Sequence, residues 1–226
     1  MNKQIQQALY QFKVDRKYWD KDNLTGPDND FLRGKPALYL QKAIEIAKIL
    51  NLKTVVEIGS TRLATAQKCL DFWNAPHEFT SPPCCNDGHG GIFWTRAGFD
   101  VHTVDIDSNH IKQLHWSFEN VREPMPSNLH IHIPKDGVEF LTEFSGVIDV
   151  LFLDGWDVGS HQYKEKHLEA FKAAQNKLAD IHLILIDDTD YRISEGGKDA
   201  HLSPFLIELG YTMLFNGRQT LFINKS

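Results

Sequence analysis

The sequence predicts an α/β protein with a mostly parallel sheet, on three observations. Short apolar, β-branched runs recur at 53–58, 100–105, 129–133, 148–153 and 182–186, each ending near Gly or Asp. Segments with helical apolar spacing lie between them, at 108–119, 137–144 and 163–178. Near-continuous apolar strands alternating with helices are what a sheet covered on both faces requires.

Residues 1–35 read as an accessory segment, and its polar, Pro- and Gly-containing stretch 20–34 is the one candidate linker. Pro36 suits the first position of a helix, whose apolar face is marked by Leu40, Ala43, Ile44 and Ala47. The C-terminus breaks the alternation. There 211–215 and 219–223 are β-rich and flank Asn216-Gly217, a strong hairpin signal, so the sheet is expected to end in an antiparallel pair.

A length of 226 residues allows one to two domains and a core that needs no covalent staples. Three cysteines cannot form a disulfide scaffold. No apolar run reaches the ~20 residues of a bilayer span, and the first residues lack a signal peptide's apolar core. A net charge of −6 argues against nonspecific nucleic-acid binding. The expectation is a soluble, cytoplasmic protein with no membrane and no nucleic-acid partner.

Gly59 follows the first strand in Glu57-Ile58-Gly59-Ser60, and the second strand ends at Asp105, 46 positions on. Dinucleotide folds place such an acid roughly 20 residues after the glycine loop. Excising the 27 residues 61–87 joins Ser60 to Gly88-His89-Gly90-Gly91 and shortens the separation to 19. The excision restores both a glycine loop and its acid, as a nucleoside site with Gly59, Ser60, Gly88, His89 and Gly90 near the ligand and Asp105 on a ribose. The alternative makes 61–73 the helix after the first strand and 88–91 a plain turn. Glu57, Gly59 and Asp105 keep their places on either reading.

These residues resemble the class I S-adenosylmethionine-dependent methyltransferases over about 36–226. Glu57-Ile58-Gly59-Ser60 is similar to the family's first motif and Val104-Asp105-Ile106-Asp107 to its second. Asp136-Gly137 matches the adenine-side position, and Asp149 to Gly155 the fourth motif. The resemblance implies a Rossmann-like, doubly wound, mostly parallel seven-stranded sheet with a C-terminal antiparallel hairpin. It also implies a cofactor, S-adenosylmethionine, held by Glu57, Gly59, Ser60, Gly88, His89, Gly90, Asp105, Ile106, Asp136, Gly137 and Asp154. The departure is the insertion 61–87, long for a connection and therefore read as a lid over the acceptor.

Asp154, Asp187 and Asp188 follow the fourth and fifth strands. They resemble the metal-binding positions of catechol-type O-methyltransferases, which implies Mg2+, although that family has an amide where this chain has Asp188. The alternative is no metal, with Asp154 on the cofactor and His161 as general base. Asp154, His161 and Asp187 are the candidate catalytic residues. His77, Cys84, Cys85 and His89 form a weaker zinc set, without the C-x2-C pairing of structural sites. Lys198, after Gly196-Gly197, reads first as a solvated loop lysine and second as a contact to an anionic substrate. Trp156 is placed near the substrate cleft. The expected reaction is O-methylation of a small molecule. The competing functions are a noncatalytic cofactor-binding scaffold and an NAD-dependent oxidoreductase, the latter disfavoured by the C-terminal hairpin.

Overall fold

Seven strands form one sheet in the order β3-β2-β1-β4-β5-β7-β6. They are β1 (Thr54–Ile58), β2 (Asp100–Val104), β3 (Leu129–His132), β4 (Ile148–Leu153), β5 (Leu178–Ile186), β6 (Thr212–Phe215) and β7 (Thr220–Ile223). β1 to β5 are mutually parallel, and β7 runs antiparallel between β5 and β6. The computed structural model describes residues 3–15, 36–60, 90–110, 112, 115, 124–190 and 196–224. The proposed lid, Gly88, His89, the zinc set and the alternative helix 61–73 lie outside these residues. No helix among the described residues is long and apolar enough to cross a membrane.

The central strands are apolar on both faces because both are covered. Val55, Val150 and Phe152 pack with Ala43, Ile92 and Trp94 on one side, beneath α1 (Lys3–Asp15), α2 (Pro36–Ile49) and α3 (Gly90–Arg96). Their neighbours Val56, Leu151 and Leu153 pack with Leu141, Phe171 and Leu206 on the other. Those side chains come from α4 (Gly137–Glu143), α5 (Tyr163–Ala174) and α6 (Leu202–Glu208). Each such side chain taken out of water contributes about 1.5–3 kcal/mol. α1 packs on α2 through Ile5, Ala8 and Leu9. Asp149 fixes the register of β1 against β4, its Oδ2 accepting from the amides of Lys53 (2.8 Å) and Thr54 (2.9 Å).

One element differs from its sequence expectation. The helix predicted over 163–178 ends at Ala174, continues as a 3-10 turn over Gln175–Lys177, and gives way to β5 at Leu178, four residues before the predicted strand. Leu178 keeps helical spacing from Ala174 but pairs with Ile148, so sheet pairing overrides the local period. Asn224 holds this extension: its side chain accepts from the His182 amide at 3.0 Å and donates to the Asp180 carbonyl.

The strand order reverses between β1 and β4, and open α/β sheets bind ligands at the carboxyl ends beside such a switch point. Backbone hydrogen bonds carry the rim across four strands: Gly59 N to Val104 O (2.8 Å), Asp154 N to Ile58 O (2.8 Å) and Asp187 N to Leu153 O (3.0 Å).

Candidate active site at the carboxyl rim

Gly59 turns the chain out of β1 with φ +96°. A Cβ there would stand 2.6 Å from the backbone of Asp154 and Gly155, so only glycine brings the β1 turn against the end of β4. The next residue is tied to the β2 end, where Asp105 Oδ2 accepts from the Ser60 amide at 2.8 Å. Asp105 Oδ1 accepts from the Asp107 amide (2.9 Å), and His110 Nδ1 lies 2.8 Å from Oδ2. Asp105 thereby joins two loops while Oδ1 keeps capacity for another donor. The Ser60 hydroxyl is buried with no partner among the described residues. Ile106, 70% exposed, projects from the same rim.

Glu57 lies buried beneath the start of α3, where Gly90 and Gly91 close on its carboxyl group. Burial pushes its pKa well above the usual carboxylate range, against the hydrogen bond that Thr103 Oγ1 donates to Oε2 at 2.7 Å. Gly90 is the first residue of α3, the helix described between β1 and β2. Asp136 caps α4, its Oδ1 accepting from Val138 N and Glu139 N at 3.0 Å each. The following Gly137 packs on Ile58 and Trp156.

The structure brings Asp154, Asp187 and Asp188 together, with one carboxylate oxygen of each within 4.8 Å of the others. It also corrects the reading of Lys198 as a solvated lysine. The Lys198 side chain is 1% exposed, and its ammonium lies 2.9 Å from Asp154 Oδ1 and 3.1 Å from Asp188 Oδ2. The loop bearing it is packed tightly. Gly196 adopts φ +90°, a Cβ on Gly197 would press on the backbone of Asp188 and Thr189, and Tyr163 Oη donates to the Gly196 carbonyl at 2.7 Å. From the opposite side Arg218 pairs with Asp188 and approaches Asp187 Oδ2 to 3.5 Å. Gln219 Nε2 donates to Asp187 Oδ1 at 2.8 Å.

Three carboxyl groups thus share the buried Lys198 and the half-buried Arg218, and one proton stays with them. Burial raises the Asp154 carboxyl to about 8, against the pull of Lys198 and with the help of Asp187 and Asp188. Burial also opposes charge on Asp187, yet Arg218, Lys198 and a hydrogen bond from the Asp154 carboxyl hold its pKa below the ordinary value. Asp154 therefore keeps the proton and Asp187 accepts from it. Burial disfavours the charged forms of Lys198 and Arg218 too, but the surrounding acids override it and raise both. This arrangement does not fit Mg2+, which needs oxygen ligands at about 2.0–2.1 Å where the Lys198 ammonium lies.

His161 is exposed in the turn before α5. The buried histidine of this region is His167, whose Nδ1 lies 2.6 Å from the Tyr163 carbonyl and whose ring meets Trp156 edge-on at 5.4 Å. Burial, then Lys198, lower its pKa to about 3, so it is neutral at ordinary pH. Sequence reasoning missed Arg218, Gln219 and His167. Arg218 and Gln219 carried a signal, since they follow the Asn216-Gly217 turn at the carboxyl rim. His167 carried none.

No family model and no curated protein matches the chain. Solved structures do. A methyltransferase of Podospora anserina bound to S-adenosylhomocysteine superposes with a TM-score of 0.58 at 14% identity, covering 100% of this chain and 89% of that one. A Staphylococcus aureus protein provisionally assigned as a caffeoyl-CoA O-methyltransferase gives 0.56 at 14% identity over 95% and 91%. A Clostridium thermocellum protein provisionally assigned as an rRNA methylase gives 0.50 at 14% over 83% and 97%. Matched over nearly its whole length, the chain has the fold of the class I S-adenosylmethionine-dependent methyltransferases.

Proposed function

We propose that this chain is an S-adenosylmethionine-dependent methyltransferase acting on an oxygen of a small-molecule acceptor. The observation that carries the reading is the cluster of Asp154, Asp187 and Asp188 around Lys198, set beside the Gly59 turn, where burial raises the Asp154 carboxyl to about 8. A methyl acceptor must lose a proton as it attacks, and a base titrating near neutral pH serves that step.

The rim also fits the cofactor. The Gly59 turn offers backbone where a side chain would collide, the Ser60 hydroxyl is buried without a partner, and Asp105 keeps acceptor capacity toward ribose hydroxyls. Gly59 and Ser60, with Gly90 above Glu57, would hold the amino-acid end, and Gly88 and His89 are assigned to it by the resemblance alone. Asp105 and Ile106 would meet the ribose and adenine, with Asp136-Gly137 on the adenine side. When bound, S-adenosylmethionine supplies an electrophilic methyl group. Once it has lost the shared proton, Asp154 would take the acceptor's proton at its carboxylate, with Asp187 stabilising the pair by hydrogen bonding and Lys198 fixing the Asp154 carboxyl group in place. His161, exposed, is outside this proton path, and the role that the resemblance gives a divalent ion falls to the resident ammonium.

Chains of this fold are assigned to small-molecule and to rRNA methylation alike. A net charge of −6 favours the former, because RNA binding draws on basic surface. The placement of β7 between β5 and β6 weighs against a nicotinamide dehydrogenase. Calorimetry with S-adenosylhomocysteine and with NAD, then transfer of labelled methyl to a panel of phenols and catechols, tests the proposal. Binding of NAD alone overturns it. Tight S-adenosylhomocysteine binding with no transfer across phenolic and RNA panels would favour the scaffold reading.

A further inference from the structure

A second group of chemistry-bearing side chains lies at the β2/β3 edge of the sheet. His102 stands opposite His130 in the parallel register, and the two-residue period of a strand puts Asp100 and His102 of β2 on one face with His130 and His132 of β3. The rings of His102 and His130 stack at 4.6 Å, and those of His102 and His132 at 5.3 Å. Phe140 of α4 packs on His132, and Phe144, just after α4, meets His102 edge-on.

Ligand atoms of Asp100, His102 and His130 lie within 4.8 Å of one another. His130 Nε2 is 2.7 Å from Asp100 Oδ1, and His102 Nε2 is 4.0 Å from Asp100 Oδ2. On its far side His102 Nδ1 is 3.0 Å from His132 Nε2. A proton on His102 Nδ1, donated to His132, leaves His102 Nε2 with a free lone pair 4.0 Å from Asp100 Oδ2. A hydrogen bond on the other ring nitrogen is how proteins orient a ligating imidazole.

We propose that Asp100, His102 and His130 form a binding site for a divalent transition metal of the zinc class, with His132 orienting His102. Two imidazole nitrogens and one carboxylate suit zinc, nickel or copper and not Mg2+ or Ca2+. The metal takes the place of the proton that His130 shares with Asp100, and that proton moves to His130 Nδ1, so the ring stays neutral. Side-chain exposures of 42% at His130 and 49% at Asp100 give an ion access, give both groups room to close on it, and leave a fourth position to water. A bound ion would fasten edge strand β3 to β2, away from the Asp154 rim.

The test is titration of the chelator-stripped full chain with Zn2+ by calorimetry and with Co2+ by visible spectroscopy. One ion per chain is expected, with Co2+ ligand-field bands and no thiolate charge-transfer band, and a rise in melting temperature. His130→Asn, a change at a partly exposed position, should abolish saturable binding or weaken it at least tenfold. His132→Ala should weaken it by about 10- to 100-fold. An unchanged circular dichroism spectrum and urea midpoint in metal-free His130→Asn would show that the fold persists. The Cys84→Ser, Cys85→Ser chain should bind as the parent does. Absence of saturable Zn2+ binding overturns the site, as does binding that survives His130→Asn or disappears with the two cysteines.

Discussion

The Lys198 ammonium holds Asp154 at both ends, 2.9 Å from its carboxylate Oδ1 and 2.8 Å from its carbonyl oxygen. One buried side chain thus fixes the residue that follows β4 and neutralises the acids around it. Replacing Lys198 with Met strands those acids, and loss of one partner of a buried ion pair costs about 3–5 kcal/mol. Urea unfolding of Lys198→Met should show a loss of that order, and Mg2+ added to the parent chain should leave its melting temperature unchanged. A Lys198→Met chain as stable as the parent would contradict the buried pairing.

Asp105→Ala should weaken S-adenosylhomocysteine binding by about 1.5–3 kcal/mol, the range for a hydrogen bond to a charged group. Because Asp105 also holds the Ser60 amide, circular dichroism should accompany the calorimetry. Equal affinity in parent and variant would remove Asp105 from the cofactor site.

Methyl transfer should increase with pH through about 8, as the Asp154–Asp187 pair loses its proton. Asp154→Asn should abolish both the transfer and that limb of the pH profile. The stability effect has the opposite sign. The Asp154 pKa is raised on folding from an ordinary 3.8, so its contribution is full below pH 4 and is lost as pH rises through about 8. The unfolding free energy of the parent relative to Asp154→Asn should therefore fall between pH 4 and 8. A flat difference would show that Asp154 does not hold the proton.

Two histidines work the other way. Burial lowers His167 to about 3 and, with His130 and His132 adding to it, His102 to about 4, against 6.5 in the free side chain. The unfolded chain binds these protons first, so stability is full above pH 6.5 and declines as pH falls through 4 toward 3. Urea midpoints at pH 7 and pH 4.5 should differ, and His167→Leu should narrow the difference. An unchanged gap would place the acid sensitivity elsewhere.

The strands and the hairpin were legible because an apolar run of β-branched residues has few other uses, and Asn216-Gly217 permits a tight turn. Gly59, Asp105 and Asp154 were legible because they follow strands, where backbone position alone sets the side chain's location. The partners of the acids were not. Lys198 follows two glycines, a local pattern shared by solvated loops, and its burial depends on the packing of Gly197 against Asp188 and Thr189. His161 is the base that the sequence suggests, and nothing local to His167 marks it as the buried one, because it is the helical turn from Tyr163 that sets it inward.

The place of β7 means that the rim's acids are synthesised before the cations that pair with them. The acids emerge from the ribosome at 154, 187 and 188, while their cations follow at 198 and 218, with Arg218 at the turn before the strand that pairs with β5. Until that strand docks, β5 is an open edge and the three carboxylates lack half of their counter-charge. A nascent chain that has not reached its last hairpin therefore has neither a finished sheet nor a proton-sharing pair tuned near neutral pH, and the two arrive in one docking event.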